Sequence, residues 1–426
     1  FFNPEKDPFV VSKLKNSAMT PAGELDAAVD RDCFADTLES PRKFGAELEL
    51  TIVDKKNSDP MPIAKDVIAK LPTDIREQFH LEHLWTDIEI VTKPHVSVSS
   101  FRDELEHLLG QLHNVLDQRG ASLLWSGTHP NLGYQRQPHS TNIRNQHNVR
   151  RLADPSGLAT KGLHFHFEAS KNEAVPIINN IQTFFPLLVA LSANSPVIEG
   201  NDTGFRSKRV STWSSCMGVC GLTGPFDGWD DFESQIRDLK NAKRIDSMKD
   251  NYAFVRPTRF GTIEIRCCDT PMNVNQVISL LAVTRTLVEA ICDGQFDNLK
   301  RRRDFLRAEL HEAAQHGPEA RLTNHRNELV SPQQWLDRLV YDIQPTAMTI
   351  GTDLAIRLAP QYLATNGSTE QLARYRRLLR NRQNEAVVTI PANRGRSDNW
   401  EIDWITAATS SAVTAALLML LARIII

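Results

Sequence analysis

Arg256 to Thr270 reads RPTRFGTIEIRCCDT. Ile263, Ile265 and Cys267 alternate there with Thr262, Glu264, Arg266 and Cys268. A period of two predicts a β-strand, with the first set against a core and the second on the opposite face. Glu264 and Arg266 then lie side by side, with Arg256 and Arg259 just upstream. A carboxylate on such a face can hold Mg²⁺, and guanidinium groups can hold phosphate oxygens. A surface ion pair would use the same residues and contribute little. The choice between the two depends on what other strands offer.

Three more stretches offer the same kind of face. In KFGAELELTIV, Lys43 to Val53, the set Phe44, Ala46, Leu48, Leu50 and Ile52 alternates with Gly45, Glu47, Glu49 and Thr51. Glu47 and Glu49 would stand ~7 Å apart on one face. Like charges so placed repel unless a cation or arginines lie between them. His80 to Thr92, HLEHLWTDIEIVT, predicts a strand in which Ile88 and Ile90 alternate with Asp87, Glu89 and Val91, with Glu82 just before it. Gly162 to Glu168, GLHFHFE, sends Leu163, Phe165 and Phe167 inward and leaves His164, His166 and Glu168 on the other face. A His-x-His strand fits a metal or a phosphate, and Zn²⁺ competes with Mg²⁺ for it. Taken together, Glu47, Glu49, Glu82, Glu89, His164, His166, Glu264 and Arg266 are too polar for an ordinary core sheet and too acidic for one ion. Hard oxygen donors favour Mg²⁺ or Mn²⁺, and several ions bridged by a triphosphate would offset the charge.

The elements that must position these residues are legible in outline. Ser100 to Arg119 carries apolar residues at helical spacing, with Ser100 and Asp103 resembling a capping box and Gly120 as the stop. Ala121 to Ser126 predicts a short strand leading to His129, at a strand end where functional side chains often sit. Glu173 to Ser195 predicts a long apolar helix kinked at Pro186, and Val277 to Cys292 a second apolar helix. Residues 131–161 are polar and suit a substrate loop. Residues 1–40 predict an irregular arm. Residues 41–426 predict a single catalytic domain, helical from about 296. Arg301 to His316 and Arg374 to Arg382 carry basic faces that read as solvated surface.

The bulk composition narrows the class. The chain has 426 residues, 41% of them hydrophobic, and a net charge of -3, which gives no general electrostatic case for nucleic acid or an anionic membrane. Six cysteines without a CxxC pair do not form a disulfide framework and fit a reducing, cytoplasmic setting. The run Ile405 to Ile426 is apolar, but its longest uninterrupted piece, Ala415 to Ala422, is far short of the ~20 residues of a membrane span. No membrane partner is expected, and a homo-oligomer stays open.

The motifs in order are GAELE at residues 45–49, Glu82 and Glu89 followed by Ile90-Val91-Thr92 and Pro94, and Gly127-Thr128-His129-Pro130. Then come Gly162 with His164 and His166, the segment Ser192 to Gly204, and RPTRFGTIEIR. This ordered set, over residues 43–295, resembles the glutamate–cysteine ligase type 2 family of carboxylate–amine ligases, in the glutamine synthetase superfamily. The resemblance implies an α+β fold, a curved antiparallel sheet with ATP and Mg²⁺ on its concave face and helices on its convex side. It implies metal binding by Glu47, Glu49, Glu82, Glu89, His164 and Glu264. His166 and Arg259 would contact ATP phosphates, and Arg266 the transferring phosphoryl group. Arg209 and Arg256 would contact phosphate or a substrate carboxylate.

The implied reaction joins an amino-acid carboxylate, glutamate first, to an amine, cysteine first, through an acyl phosphate. Phosphoryl transfer of this kind relies on placed cations and arginines rather than a protein nucleophile. Some segments depart from the family. The first strand has one carboxylate fewer than the family's G-V-E-E-E-F, and Trp213 to Gly218 replaces a WP-x-TG segment. Two other classes stay open on residues alone. One is a nucleotide- or metabolite-binding protein on this fold that has lost turnover. The other is a Zn²⁺ hydrolase built on His164, His166 and Glu264.

Overall fold

The computed structural model describes residues 31–136, 139, 155–215, 219–246, 248–297, 299 and 301–388. The polar stretch 140–154, the run Ile405 to Ile426 and most of the N-terminal arm lie outside the described residues.

Seven strands form one antiparallel sheet: β1 (Phe44–Asp54), β2 (Phe79–Leu81), β3 (Asp87–Val91), β4 (Ala121–Leu124), β5 (Gly162–Glu168), β6 (Val255–Pro257) and β7 (Thr262–Asp269). Their order is β6-β7-β5-β1-β3-β2, and β4 also pairs with β1. The alternation in each sequence has its expected consequence. Phe44, Ala46, Leu48, Leu50, Ile52, Ile88, Ile90, Leu163, Phe165, Phe167, Ile263 and Ile265 are all buried in one hydrophobic cluster. Full burial of each such side chain contributes about 1.5–3 kcal/mol.

Helices cover that apolar face. α1 (Val98–Asp117) buries Phe101, Leu105, Leu108, Leu109, Leu112 and Leu116. It starts one turn earlier than its sequence pattern predicts. Ser97, not Ser100, is the N-cap, and its hydroxyl accepts from the Ser100 N–H at 3.1 Å. The stretch from Glu173 is not one kinked helix. α2 (Ala174–Ile181) and α3 (Phe185–Ser192) are separated by a 3₁₀ turn at Gln182–Phe184. Pro186 sits in the first turn of α3, where a missing N–H leaves no bond unmade. α4 (Lys208–Ser215) follows the Ser192–Gly204 segment, and α5 (Val274–Cys292) lies almost wholly in the core. The span Ala174–Ser192 and α5 are long and apolar enough to cross a membrane, but 89% and 83% of an 18-residue apolar window in each are buried in this fold.

The strand β7 departs from simple alternation. Ile265 pairs with Phe165 and Cys268 with Leu163, so three steps on β7 match two on β5. This bulge turns Cys268 to the core side, where it is buried with Cys267, instead of the polar face that strict alternation predicts. Among the described residues Cys33, Cys267, Cys268 and Cys292 are free thiols, whereas Cys220 is disulfide-bonded, so the cysteines are not all reduced as their spacing predicts.

Candidate active site

Strand register alone assembles the polar face. Glu49 stands opposite Glu89, Glu47 opposite His164, and Glu264 opposite both His166 and Arg256. Directly paired residues have Cβ atoms about 4.5–5.5 Å apart, close enough for one ion or hydrogen bond to span. Four strands distant in sequence therefore bring Glu47, Glu49, Glu89, His164, His166 and Glu264 onto one patch. Glu82 joins them from the turn before β3.

The side-chain atoms complete the pattern. His164 Nδ1 is 3.1 Å from Glu47, and His164 Nε2 is 3.7 Å from Glu49. His166 Nε2 is 3.2 Å from the other Glu47 oxygen. Glu49 also accepts the Gly162 N–H at 2.6 Å. Three groups have ligand atoms within 4.8 Å of one another: Glu47 with Glu89 and His164, Glu47 with His166 and Glu264, and Glu49 with Glu82 and Glu89. Glu47 and Glu89 each belong to two groups, so the three adjoin. Among the described residues no group contains both histidines, which argues against a single Zn²⁺ centre built on His164, His166 and Glu264.

The electrostatics divide this acidic set. Burial pushes Glu82 well above the ordinary carboxylate range, and the neighbouring charges of Glu89 and Glu49 add to it. Burial and the charges of Glu47 and Glu49 do the same to Glu89. Carboxylates crowded in this way want a cation. Oxygen-rich donors of this kind fit Mg²⁺ or Mn²⁺ better than softer metals. Glu264 is different. Burial pushes it up, but the guanidinium groups of Arg256 and Arg266 prevail and hold it near 2. Arg256 Nε donates to Glu264 at 2.6 Å, and Arg266 donates to its other oxygen.

The remaining arginines separate. Arg209 is buried beside the cluster: Nη1 and Nη2 each donate to the Arg266 carbonyl at 3.1 Å, and Nη2 lies 3.3 Å from His164 Nε2. Gly162 makes room for it, because a Cβ there would stand 2.3 Å from Arg209 Nη2. Arg259 is placed elsewhere. It is exposed in the turn between β6 and β7, with its guanidinium 4.9 Å from the centre of the Phe260 ring. His129 is a brace rather than a ligand. Its Nδ1 accepts from the N–H groups of Asn131 and Leu132, and Nε2 bonds the Ser58 carbonyl.

Three features of the site carry no signal in the sequence. A buried ion pair, Lys161 to Asp87 at 2.8 Å, ties the loop before β5 to β3. Thr270 donates to the Glu49 carbonyl at 2.8 Å, joining the end of β7 to β1. A cavity of about 100 Å³ runs from Glu49, Glu82 and Arg266 to an aromatic wall in which Trp213 and Tyr252 stack with centroids 4.8 Å apart. Trp213 is held by a 3.0 Å bond from its Nε1 to the Thr160 hydroxyl. Only non-local contacts reveal these.

The model of glutamate-cysteine ligase family 2 matches residues 43–388, most of the chain. The chain belongs to that family. Within family 2 it is 29% identical over 356 residues to a protein of Leifsonia xyli provisionally named glutamate–cysteine ligase 2, covering 80% of this chain and 89% of that one. A protein of Corynebacterium glutamicum with the same provisional name is 28% identical over 345 residues, covering 79% and 91%. Among solved structures the fold is similar to a glutamate–cysteine ligase of Francisella tularensis in complex with AMP. That TM-score is 0.59 at 14% identity, covering 80% of this chain and 86% of that one. A bifunctional glutathione synthetase of Pasteurella multocida gives 0.56 at 14%, covering 79% and 50%. This family 2 chain is therefore an enzyme of the carboxylate–amine ligase class on the expected α+β sheet-and-helix fold.

Proposed function

We propose that this enzyme forms an amide from an amino-acid carboxylate and an amine, using ATP and Mg²⁺. Glutamate is the first acid to try and cysteine the first amine. What carries the reading is the set of three adjoining ligand groups beside three arginines. Glu47, Glu49, Glu82, Glu89, His164, His166 and Glu264 would hold the cations. A cation held by these residues would supply charge stabilisation to phosphate oxygens.

The chain's own residues then have separable tasks. Arg266 and Arg256, fixed by Glu264, present guanidinium groups where phosphate oxygens can lie. Arg209 adds a charge from the other side of His164. An oxygen of the γ-carboxylate attacks the γ-phosphorus and ADP leaves, giving an acyl phosphate. The amine nitrogen attacks the acyl carbon, the carbon–oxygen bond to phosphate breaks, and the nitrogen loses a proton. The Trp213–Tyr252 wall lines one side of the cavity in which the acyl phosphate would form. The AMP bound by the Francisella tularensis ligase supports a nucleotide in this fold.

The test is incubation with ATP, Mg²⁺, glutamate and a panel of amines, with phosphate and amide product both measured. Glu264→Ala, which releases both arginines, is expected to lower amide formation by at least about 100-fold. Phosphate release that needs no amine and is unchanged in Glu264→Ala would overturn the proposal.

A further inference from the structure

The segment Ser192 to Gly204 is one of the ordered motifs, yet it supplies no member of the three ligand groups. The backbone and side chains around it converge instead on Asp269, the last residue of β7. That carboxylate is wholly buried. Oδ2 accepts from the Asn194 N–H at 2.9 Å and the Ser195 hydroxyl at 2.7 Å, and Oδ1 accepts from the Ser207 hydroxyl at 2.8 Å. The bulge in β7 explains how Asp269 reaches them. It pairs with Gly162 and so faces the same side as His164 and His166. Without the extra residue it would follow Ile263, Ile265 and Cys267 into the core.

Both hydroxyls pass the constraint onward. Ser195 Oγ accepts from the Arg209 N–H at 3.1 Å, and Ser207 Oγ accepts from the Val210 N–H at 3.2 Å. These are N–H groups of the first turn of α4, where a negative charge is also favoured by the helix dipole. Arg209 then returns its guanidinium to the carbonyl of Arg266, three residues before Asp269 on the same strand. The circuit closes on itself: strand, carboxylate, two hydroxyls, helix start, guanidinium, strand.

We infer that Asp269 is a positioning residue that, through Ser195 and Ser207, fixes the guanidinium of Arg209 against Arg266 and His164. The role of Arg209 at phosphate rests on the ligase reading above. The placement of Arg209 by Asp269 does not. Asp269→Asn keeps the shape but removes the charge and replaces one acceptor oxygen with an NH₂ donor.

The experiment is a double-mutant cycle with Arg209→Ala, read in kcat and in KM for ATP. Asp269→Asn is expected to lower kcat about 10- to 100-fold in the parental enzyme. In the Arg209→Ala background it should change kcat less than about twofold, because the group it positions is gone. Equal losses in both backgrounds would overturn the inference. If Asp269→Asn does not fold, Ser207→Ala and Ser195→Ala replace it in the same cycle, with losses of about 3- to 10-fold expected.

A crystal structure of Asp269→Asn, or of Ser207→Ala, supplies a readout that needs no turnover. Arg209 is expected to leave the Arg266 carbonyl, and a guanidinium still at hydrogen-bond distance would sink the idea. A parental enzyme that makes no amide with any amine defeats the ligase reading, and this structural readout then decides the positioning role alone.

Discussion

His129 shows how a side chain suited to catalysis is claimed by folding. Its ring is buried, and burial pushes its pKa down to about 4, with the nearby charge of Lys161 acting the same way. A histidine free in the unfolded chain titrates near 6.5. Between pH 6.5 and 4 the unfolded state therefore binds more protons than the folded one. Stability is complete above 6.5 and falls as pH drops through that window, by about 3 kcal/mol in all from this residue. Urea midpoints measured from pH 7 to pH 4 are expected to show the decline. His129→Gln, less stable at pH 7, should show a shallower one. An unchanged slope in the variant would remove His129 as the cause.

At the scale of elements, the loop before β5 and the strand β3 are joined by Lys161 and Asp87, with side chains 2% and 3% exposed. Burial pushes the Asp87 carboxyl up, while Lys161 and the hydroxyls of Thr51 and Thr86 hold it back. Removing one partner leaves a buried charge alone, which costs about 3–5 kcal/mol unless Asp87 takes up a proton. Lys161→Met is therefore expected to lower the urea midpoint strongly at pH 8 and less at pH 5. Lys161→Met combined with Asp87→Asn should recover part of the loss. Lys161 directly precedes β5 and lies three residues before His164, so the single variant should also weaken Mn²⁺ binding by calorimetry. Intact binding in a folded Lys161→Met would separate the ion pair from the site.

Across the whole molecule, one sheet has two incompatible faces. One is apolar and covered by α1 and α5, and the other gathers five carboxylates. Glu82 and Glu89 are crowded and raised in pKa, so keeping these two charged costs free energy that a bound cation would offset. Occupants that bind only the folded chain stabilise it by mass action, about 2.7 kcal/mol at one hundred times Kd. Mg²⁺ with a non-hydrolysable ATP analogue is expected to raise Tm in a concentration-dependent way, and by more than the sum of either alone. Additive shifts would mean that the ion and the nucleotide do not share this site.

The sequence by itself determined which residues face the site on each strand. Glu47 with Glu49, His164 with His166, and Glu264 with Arg266 are readable because side-chain alternation is a local property with a period of two. The tertiary structure decided the rest. Which strands are neighbours sets Glu49 opposite Glu89 and His166 opposite Glu264, and pairing between distant strands leaves no local trace. The bulge in β7 shifts Cys268 and Asp269 by one face, which strict alternation cannot show. The Lys161–Asp87 pair and the bond from His129 to the Ser58 carbonyl likewise depend on partners far along the chain. A side chain's direction is set by its own strand, whereas its partners are set by how the whole chain packs.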